Sequence, residues 1–408
     1  MQYVIFFFPP NSMRRFKARR CYKDRVLMPT ICCLHKCVNL EELYLEKADS
    51  PAITTYLLAH ILKFLTLLKV VALPKQCDDD VASVIGLNCP KLECIILTGT
   101  SVTNVGLSWL LCCRQLHTLI MPGFFQGVTP KGVALLLNGL QSLRHVVYDV
   151  MSDVLTYIDF NTSDLILPKL ELRTILFHSL ELLSSNHLEL VSKLCPNLEW
   201  LSLDSALFYN LEGLSRFNNL RLLRLNYKGR PIDETVIDFF RLSCSNLTTC
   251  HFFDVKDLTL EDLMLTLGQC HQLESLVFQD CSLVPDWRFS SNLKVVSRSV
   301  DILQIFGMSW PINGQLVDFI SLFRDLKVLE MDRCDLDLGQ LKRVLLDQPL
   351  LHTLNCSLWT HSSVQQYQEV EKFKRLQDAK LTDQEYRRTL AVKLLDEYAG
   401  FAPLLRSQ

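Results

Sequence analysis

Cys89-Pro-Lys-Leu92-Glu-Cys-Ile95-Ile-Leu97-Thr-Gly-Thr-Ser-Val102-Thr103-Asn-Val-Gly106-Leu107 decides the reading of the whole chain. Its apolar residues Leu92, Ile95 and Leu97 stand in the frame L-x-x-L-x-L. One such frame means little, because leucine is common. The frame returns, however, behind Leu40, Leu68, Leu116, Leu143, Leu172, Leu198, Leu220, Leu247, Leu273, Leu326 and Leu351. From Leu40 to Leu273 the leading leucines are 22 to 29 residues apart. A near-constant period in that range marks a solenoid, in which each repeat packs only on its neighbours. The gap from Leu273 to Leu326 is 53 residues, about twice the period, so a degenerate copy is expected inside it, led by Leu293. The register between Val284 and Phe323 is left open. The count is twelve clear repeats and one weak one.

Two further motifs accompany the frame. Cys-x-x-Leu opens the repeats at Cys37, Cys89, Cys113, Cys195, Cys244 and Cys270. Val102-Thr103-Asn-Val-Gly106-Leu107 and Val128-Thr129-Pro-Lys-Gly132-Val133 follow the strand turn. On these motifs residues 37–360 resemble the leucine-rich-repeat family, in its cysteine-containing class. The resemblance implies an α/β solenoid, a horseshoe with a concave parallel β-sheet and outer helices. Known members of that class include F-box substrate receptors of cullin-type (SCF) ubiquitin ligases and F-box-free relatives. Fold does not fix function, so that link is an expectation drawn from resemblance alone.

The 408 residues carry 49% hydrophobic side chains and a net charge of −2. A continuous core shared by strands and helices accounts for the first. The second implies no global attraction to nucleic acid or membrane, and no specific nucleic-acid partner. Sixteen cysteines invite a disulfide framework, but six open repeats and Cys250, Cys281, Cys334 and Cys356 fall at core or turn positions. They read as small buried hydrophobes in a reducing compartment, cytoplasmic or nuclear. The sequons at Asn161, Asn246 and Asn355 then carry no glycans.

Residues 1–36 read as a basic, flexible arm: Arg14, Arg15, Lys17, Arg19, Arg20, Lys23 and Arg25 face only Asp24. Such a block is an import or anion-binding segment, or simply a solvated arm. Val4-Ile-Phe-Phe-Phe8 is too short for a signal sequence and lacks a basic lead. No F-box is visible, and only Leu27-Met-Pro29 faintly matches its opening. A cullin-ligase adaptor is therefore expected as a partner only if an F-box lies upstream. Cys32-Cys33-Leu-His35-Lys-Cys37 has metal-binding atoms but no second knuckle nearby, so no metal is expected. Leu57–Leu73 is interrupted by His60, Lys63 and Lys69 and does not read as a membrane span.

Helix starts are legible at Thr103, Thr129 with Pro130 behind it, Thr259 with Asp262, and Asp337. Asp78-Asp79-Asp80 sits at another start, where carboxylates complement the helix dipole. The triple lacks the glycine and glutamate of an EF-hand loop. Val150–Lys169, with Asp153, Asp159 and Asp164, reads as an insertion. Val284–Pro311, with Trp287, Arg288, Arg298 and Trp310, reads as a binding loop or a decayed repeat. Residues 361–408 read as a C-terminal helical cap, or alternatively as a partner-binding segment. Val364, Tyr367, Val370, Phe373 and Leu376 share one helical face. A second helix opens on the capping box Thr382-Asp-Gln-Glu385, carries Tyr386, Leu390, Leu394 and Tyr398 as its stripe, and ends at Gly400.

No nucleotide loop, nucleophile elbow or zinc-protease motif is present, and the ten histidines lack carboxylates at recognisable spacing. The chain is expected to bind rather than catalyse, with no cofactor. Residues between and after the core leucines should face outward on the concave sheet. That puts Arg224 beside His251, with Trp200 and Phe253 on the diagonals, a composition favoured at interface hot spots. Tyr44, Ile96 and Ile120 form a second, less polar patch. The function expected is a protein-binding solenoid, in particular a substrate-recognition subunit of an SCF-type ligase. The alternative is a stand-alone scaffold or regulator. A ribonuclease-inhibitor-type horseshoe fits less well, because that type alternates two longer repeat lengths.

Overall fold

The chain, as a computed structural model, is described at residues 12–18, 30–46, 48, 50–123, 126–161, 169–177, 185–204, 212–232, 234–284, 299–308, 315–334, 340, 343–344, 347–351 and 353–358. It divides into two compact units. Among the described residues, one comprises 12–176 and 193–197, the other 177–192 and 198–358.

The first unit builds its sheet from β1 Arg15–Lys17, β2 Glu42–Tyr44, β3 Val70–Leu73, β4 Cys94–Leu97, β5 Thr118–Met121, β6 His145–Tyr148 and β7 Thr174–Phe177. Each pairs in parallel with the next. Helices α1 Thr55–Leu62, α2 Asp79–Asn88, α3 Asn104–Trp109, α4 Pro130–Gly139 and α5 Met151–Asn161 return the chain between strands. The register stacks equivalent residues of the frame: Leu43, Val71, Ile95, Leu119, Val146 and Ile175 stand side by side, all with no exposed surface.

The second unit repeats the plan with β8 Trp200–Asp204, β9 Leu222–Arg230, β10 Thr249–Val255, β11 Ser275–Gln279, β12 Ile302–Phe306, β13 Val328–Cys334 and β14 Thr353–Leu358. Helices α7 Glu234–Ser243, α8 Leu260–Leu267 and α9 Gln315–Ser321 lie between its strands, and α6 Ser185–Leu194 precedes them. Its core is aromatic. Phe240 of α7 stacks on Phe252 of β10 at 5.9 Å, Phe252 on Phe278 of β11 at 5.4 Å, and Phe278 meets Phe319 of α9 edge-on at 5.3 Å. Helices therefore cover the face carrying the frame residues, and alternate strand residues point the other way.

The spacing of Cys-x-x-Leu has a local cause. The backbone N–H of Leu40, Leu92, Leu116, Leu247 and Leu273 donates to the carbonyl of the opening cysteine, at 3.1 Å for Leu92 to Cys89 and 2.9 Å for Leu116 to Cys113. Leu65 with Leu68 and Leu140 with Leu143 close the same turn without sulfur. The position thus asks for a small or medium apolar side chain that can be fully buried. All six opening cysteines are buried.

The Thr-x-x-Gly motif is explained by a side chain from the preceding repeat. The Asp79 carboxylate accepts from the Thr103 amide at 2.7 Å, the Thr103 hydroxyl at 2.6 Å and the Gly106 amide at 3.0 Å. Asn104 does the same for the next repeat, accepting from the Thr129 amide at 3.0 Å and donating to its hydroxyl at 2.9 Å. A Cβ on Gly106 would collide with Asp79 Oδ1, and one on Gly132 with Asn104 Oδ1. Glycine is required because a neighbour's capping group occupies that space. Thr103, Thr129 and Thr259 cap their helices as the sequence suggested, Thr259 in a full capping box with Asp262. Asp78 caps α2.

Two expectations change. The basic arm contributes an edge strand: Arg14 pairs with Glu41 at 2.9 Å, Arg15 with Glu42 at 2.6 Å, and Phe16 is buried beside Leu43. Met13, Phe16 and Ala18 stand at the frame positions. The degenerate repeat is led by Val300, not Leu293, with Leu303 and Ile305 completing it. Within the stretch read as an insertion, Met151–Asn161 forms α5, and residues 162–168 lie outside the described residues. Leu293, Trp287, Arg288, Arg298, Trp310, Asp164, Asp337 and the helices expected within 361–408 lie outside the described residues.

Candidate protein-binding face

The outward face of the second unit consists of three rows running across the strands. Trp200, Leu222, Thr249, Ser275, Ile302 and Val328 make the first. Ser202, Arg224, His251, Val277, Gln304 and Glu330 make the middle one. Asn226, Phe253, Gln279 and Phe306 lie in the third. Arg224 and His251 are direct neighbours in the ladder, with Trp200 and Phe253 diagonal to Arg224.

The exposure expected of this cluster is not observed. Trp200 is 4% exposed, and Arg224 and His251 are each 9% exposed; Phe253 is half-buried. The cause is lateral packing at the strand spacing of about 4.8 Å. The Arg224 guanidinium lies over the Phe253 ring, 4.0 Å from its centroid, and the His251 ring is 6.3 Å from that of Phe253. Burial, with the Arg224 charge beside it, pushes the His251 imidazole down to about 3, so it is neutral at physiological pH. The Trp200 indole Nε1 is buried without an acceptor. Beyond this core the face opens: Ile302, Gln304, Phe306, Val328, Glu330 and Gln279 are all partly exposed. Gln304 Nε2 donates to Glu330 Oε2 at 2.6 Å.

The matching middle row of the first unit is Tyr44, Ala72, Ile96 and Ile120, continued by Val147 and Leu176. Tyr44 is 5% exposed, Leu176 1%, and the other four 0%. Tyr44, Ile96 and Ile120, expected to form an open patch, are therefore buried as deeply as the core leucines behind them. The neighbouring row, Glu42, Val70, Cys94, Thr118, His145 and Thr174, is polar at its ends. The Tyr44 hydroxyl donates to Glu42 at 3.0 Å, and His145 Nδ1 lies 2.9 Å from the Thr174 hydroxyl. Burial, followed by the charges of His117, Arg173 and Arg144, pushes His145 down to about 4. Along the strand entrances Glu41 bonds Lys69 at 2.6 Å and Arg14 at 2.9 Å. The order of basic and acidic residues there alternates in a way the leucine frame does not predict.

Among the described residues no group of three metal-ligating side chains converges, and no helix is long and apolar enough to cross a membrane. Both faces are surfaces of side chains in register, suited to contact.

No family model and no curated protein matches the chain. Among solved structures, the Rad7 and Elc1 complex in yeast matches at 12% identity over 82% of each chain, with a TM-score of 0.48. An internalin (inlF) from Listeria monocytogenes matches at 12% identity over 85% of this chain and 83% of that one, with a TM-score of 0.34. An internalin C2 from the same organism matches at 16% identity over 60% and 83%, with a TM-score of 0.28. Likenesses of this order carry no argument about function. The architecture rests on the ladder itself: parallel strands in register, one per leucine-rich repeat, with helices on one face.

Proposed function

We propose that the chain is a non-catalytic protein-binding solenoid that engages a partner protein through the outward face of its second unit. The observation carrying this reading is the partly exposed band of Phe253, Ile302, Phe306 and Val328 beside Gln279 and Gln304, set around the Arg224–Phe253 stack. Aromatic and apolar side chains held rigidly in a sheet, with polar groups between them, are the composition of an interface core and its rim. Trp200, Arg224 and His251 act in this reading as the floor that fixes Phe253. Within it, the Cys-x-x-Leu and Thr-x-x-Gly motifs support membership of the cysteine-containing class. They also support a role in substrate recognition for an SCF-type ligase, in the cytoplasm or nucleus. A stand-alone regulatory scaffold is the second reading.

The test is affinity capture with the full chain, identification of the partner, and titration of purified components. Phe253→Ala, Trp200→Ala and Arg224→Ala should each weaken binding by about 1–3 kcal/mol. If all three bind the partner normally while Trp200→Ala and Arg224→Ala melt earlier, the cluster belongs to the core and the face is misassigned. Direct binding of the purified cullin adaptor would select the ligase role. Partner binding without adaptor binding would select the scaffold.

A further inference from the structure

Two consecutive repeats of the first unit lack acidic side chains. Residues 94–148 hold none of the chain's 44 Asp and Glu, yet keep Arg114, Lys131 and Arg144. The same stretch builds an open cleft on the helical side of this unit, between α3 and α4. Two glycines seven residues apart on α4 frame it. Gly132 lies against Asn104 and Gly139 against Leu111, and a Cβ on either would collide with that side chain. The two segments therefore touch at both ends of α4, and a space of about 400 Å³ remains between the contacts. Leu107 and Leu136, both buried, form its floor, while Leu111 stands on one wall and Lys131 and Leu135 on the other.

Apolar surface surrounds this cleft. Leu135 is 58% exposed, and Val105 and Trp109, one turn apart on α3, are 60% and 37% exposed. Single exposed apolar residues are ordinary, but three on adjoining helices beside a recess mark a contact surface. A cation stands at each end. Lys131 lies in the first turn of α4, and the Arg114 guanidinium donates to the Gly139 carbonyl at 3.3 Å at its last. Among the described residues neither is paired with a carboxylate.

We propose that this cleft docks an acidic amphipathic helix of a partner protein, at a site separate from the outward sheet face assigned above. Charge selects the sign of the partner, because carboxylates would meet a cation at either end and no competing acid from these two repeats. Shape selects a helix. Lys131 and Gly139 are separated by about 12 Å along α4, at 1.5 Å per residue. Carboxylates seven or eight residues apart on a docked helix span about 10–12 Å and would reach both cations. Apolar residues at the three- and four-residue steps between them would enter the recess beside Leu135. The cleft is open along the wall of Lys131 and Leu135, whereas a small ligand needs a pocket that closes round most of its surface. A lipid surface would meet Val105 and Trp109 but leave the recess empty.

The test uses the full chain and fluorescein-labelled helical peptides of about five turns. One panel carries Leu, Ile or Phe at the inner positions and two Glu seven residues apart; a matched panel carries Lys in place of Glu. In fluorescence anisotropy at least one acidic peptide should bind saturably, and at least tenfold tighter than its Lys counterpart. Leu135→Asp and the uncharged Leu135→Gln should each weaken it at least tenfold. Lys131→Glu with Arg114→Glu should reverse the preference toward the Lys peptide. All three side chains are exposed, so these variants should keep the parent's circular dichroism and denaturant midpoint. No saturable binding by any acidic peptide, equal binding of the Lys panel, or binding that survives both Leu135 variants overturns the proposal. Loss of binding on Phe253→Ala instead would put the peptide on the sheet face and overturn it too. So would capture of this surface by phosphatidylserine vesicles alone, or a dimer of the chain that Leu135→Asp dissociates.

Discussion

Tyr44, Ala72, Ile96, Ile120, Val147 and Leu176 in the first unit occupy the same repeat position as Ser202, Arg224, His251, Val277, Gln304 and Glu330 in the second. The first set is apolar but for one hydroxyl and closed to solvent; the second is mostly polar and grades from buried to half-exposed. The backbone ladder is the same in both, so side-chain chemistry alone separates a surface sealed by apolar contact from one that stays wettable. A repeat scaffold can thus divide its positions between internal cohesion and recognition without changing its hydrogen-bonding frame.

The largest effect should come from placing a charge in the sealed row. Ile120→Asp buries a carboxylate with no partner and should cost about 3–5 kcal/mol in chemical denaturation. Gln279→Asp, in the open face, should stay within about 0.5 kcal/mol. Equal losses at the two sites would erase the distinction between the faces. The next effect concerns coupling between repeats, which the first unit displays most fully. Asp79→Ala removes an acceptor shared by three donors and should cost about 2–3 kcal/mol. Asp79→Asn should recover part of it, because it still accepts; denaturant midpoints of both variants decide.

Acid should weaken both units. His145 and His251 are held neutral when folded, at about 4 and about 3, below the usual histidine value of 6.5. The unfolded chain therefore binds more protons as pH falls below about 6.5, and stability drops between there and pH 4. Each histidine should contribute about 1–2 kcal/mol to that loss. Stability profiles of His145→Gln and His251→Gln should be correspondingly flatter, and unchanged slopes would contradict the burial of these rings. The smallest effect lies in the turns. Asp254 and Asp280 adopt left-handed backbone two residues beyond Phe252 and Phe278, where Gly99, Gly123 and Gly307 stand in other repeats. Asp280→Gly should stabilise by up to about 1 kcal/mol, read from the denaturant midpoint.

Much of the fold was legible because leucine and cysteine mark the frame so plainly. The repeats that escaped used other residues at the same positions: Met13, Phe16 and Ala18 around β1, and Val300, Leu303 and Ile305 around β12. Any apolar side chain of suitable volume fills those sites, so a leucine count sees only part of the ladder. The site was legible in register but not in exposure. Alternation places Arg224 next to His251, whereas the burial of Arg224 depends on the Phe253 ring, and that of Ile120 on whatever lies above the sheet. Neither follows from a period. The role of Asp79 was hidden for a related reason. Its partners are 24 and 27 residues away, while the acidic triple reads locally as a helix start.

That carboxylate has a consequence for how the chain comes apart. Because α3 begins on a group belonging to the repeat before it, and α4 on Asn104 of the repeat before that helix, the start of each helix is conditional on its predecessor. Fraying that enters from the amino-terminal end strips the next helix of its cap and travels onward. Fraying from the other end removes only the Gly127 carbonyl that receives the Asn104 amide. Loss of structure in this stretch is thus biased toward one direction, like a row of latches that release more readily from one side.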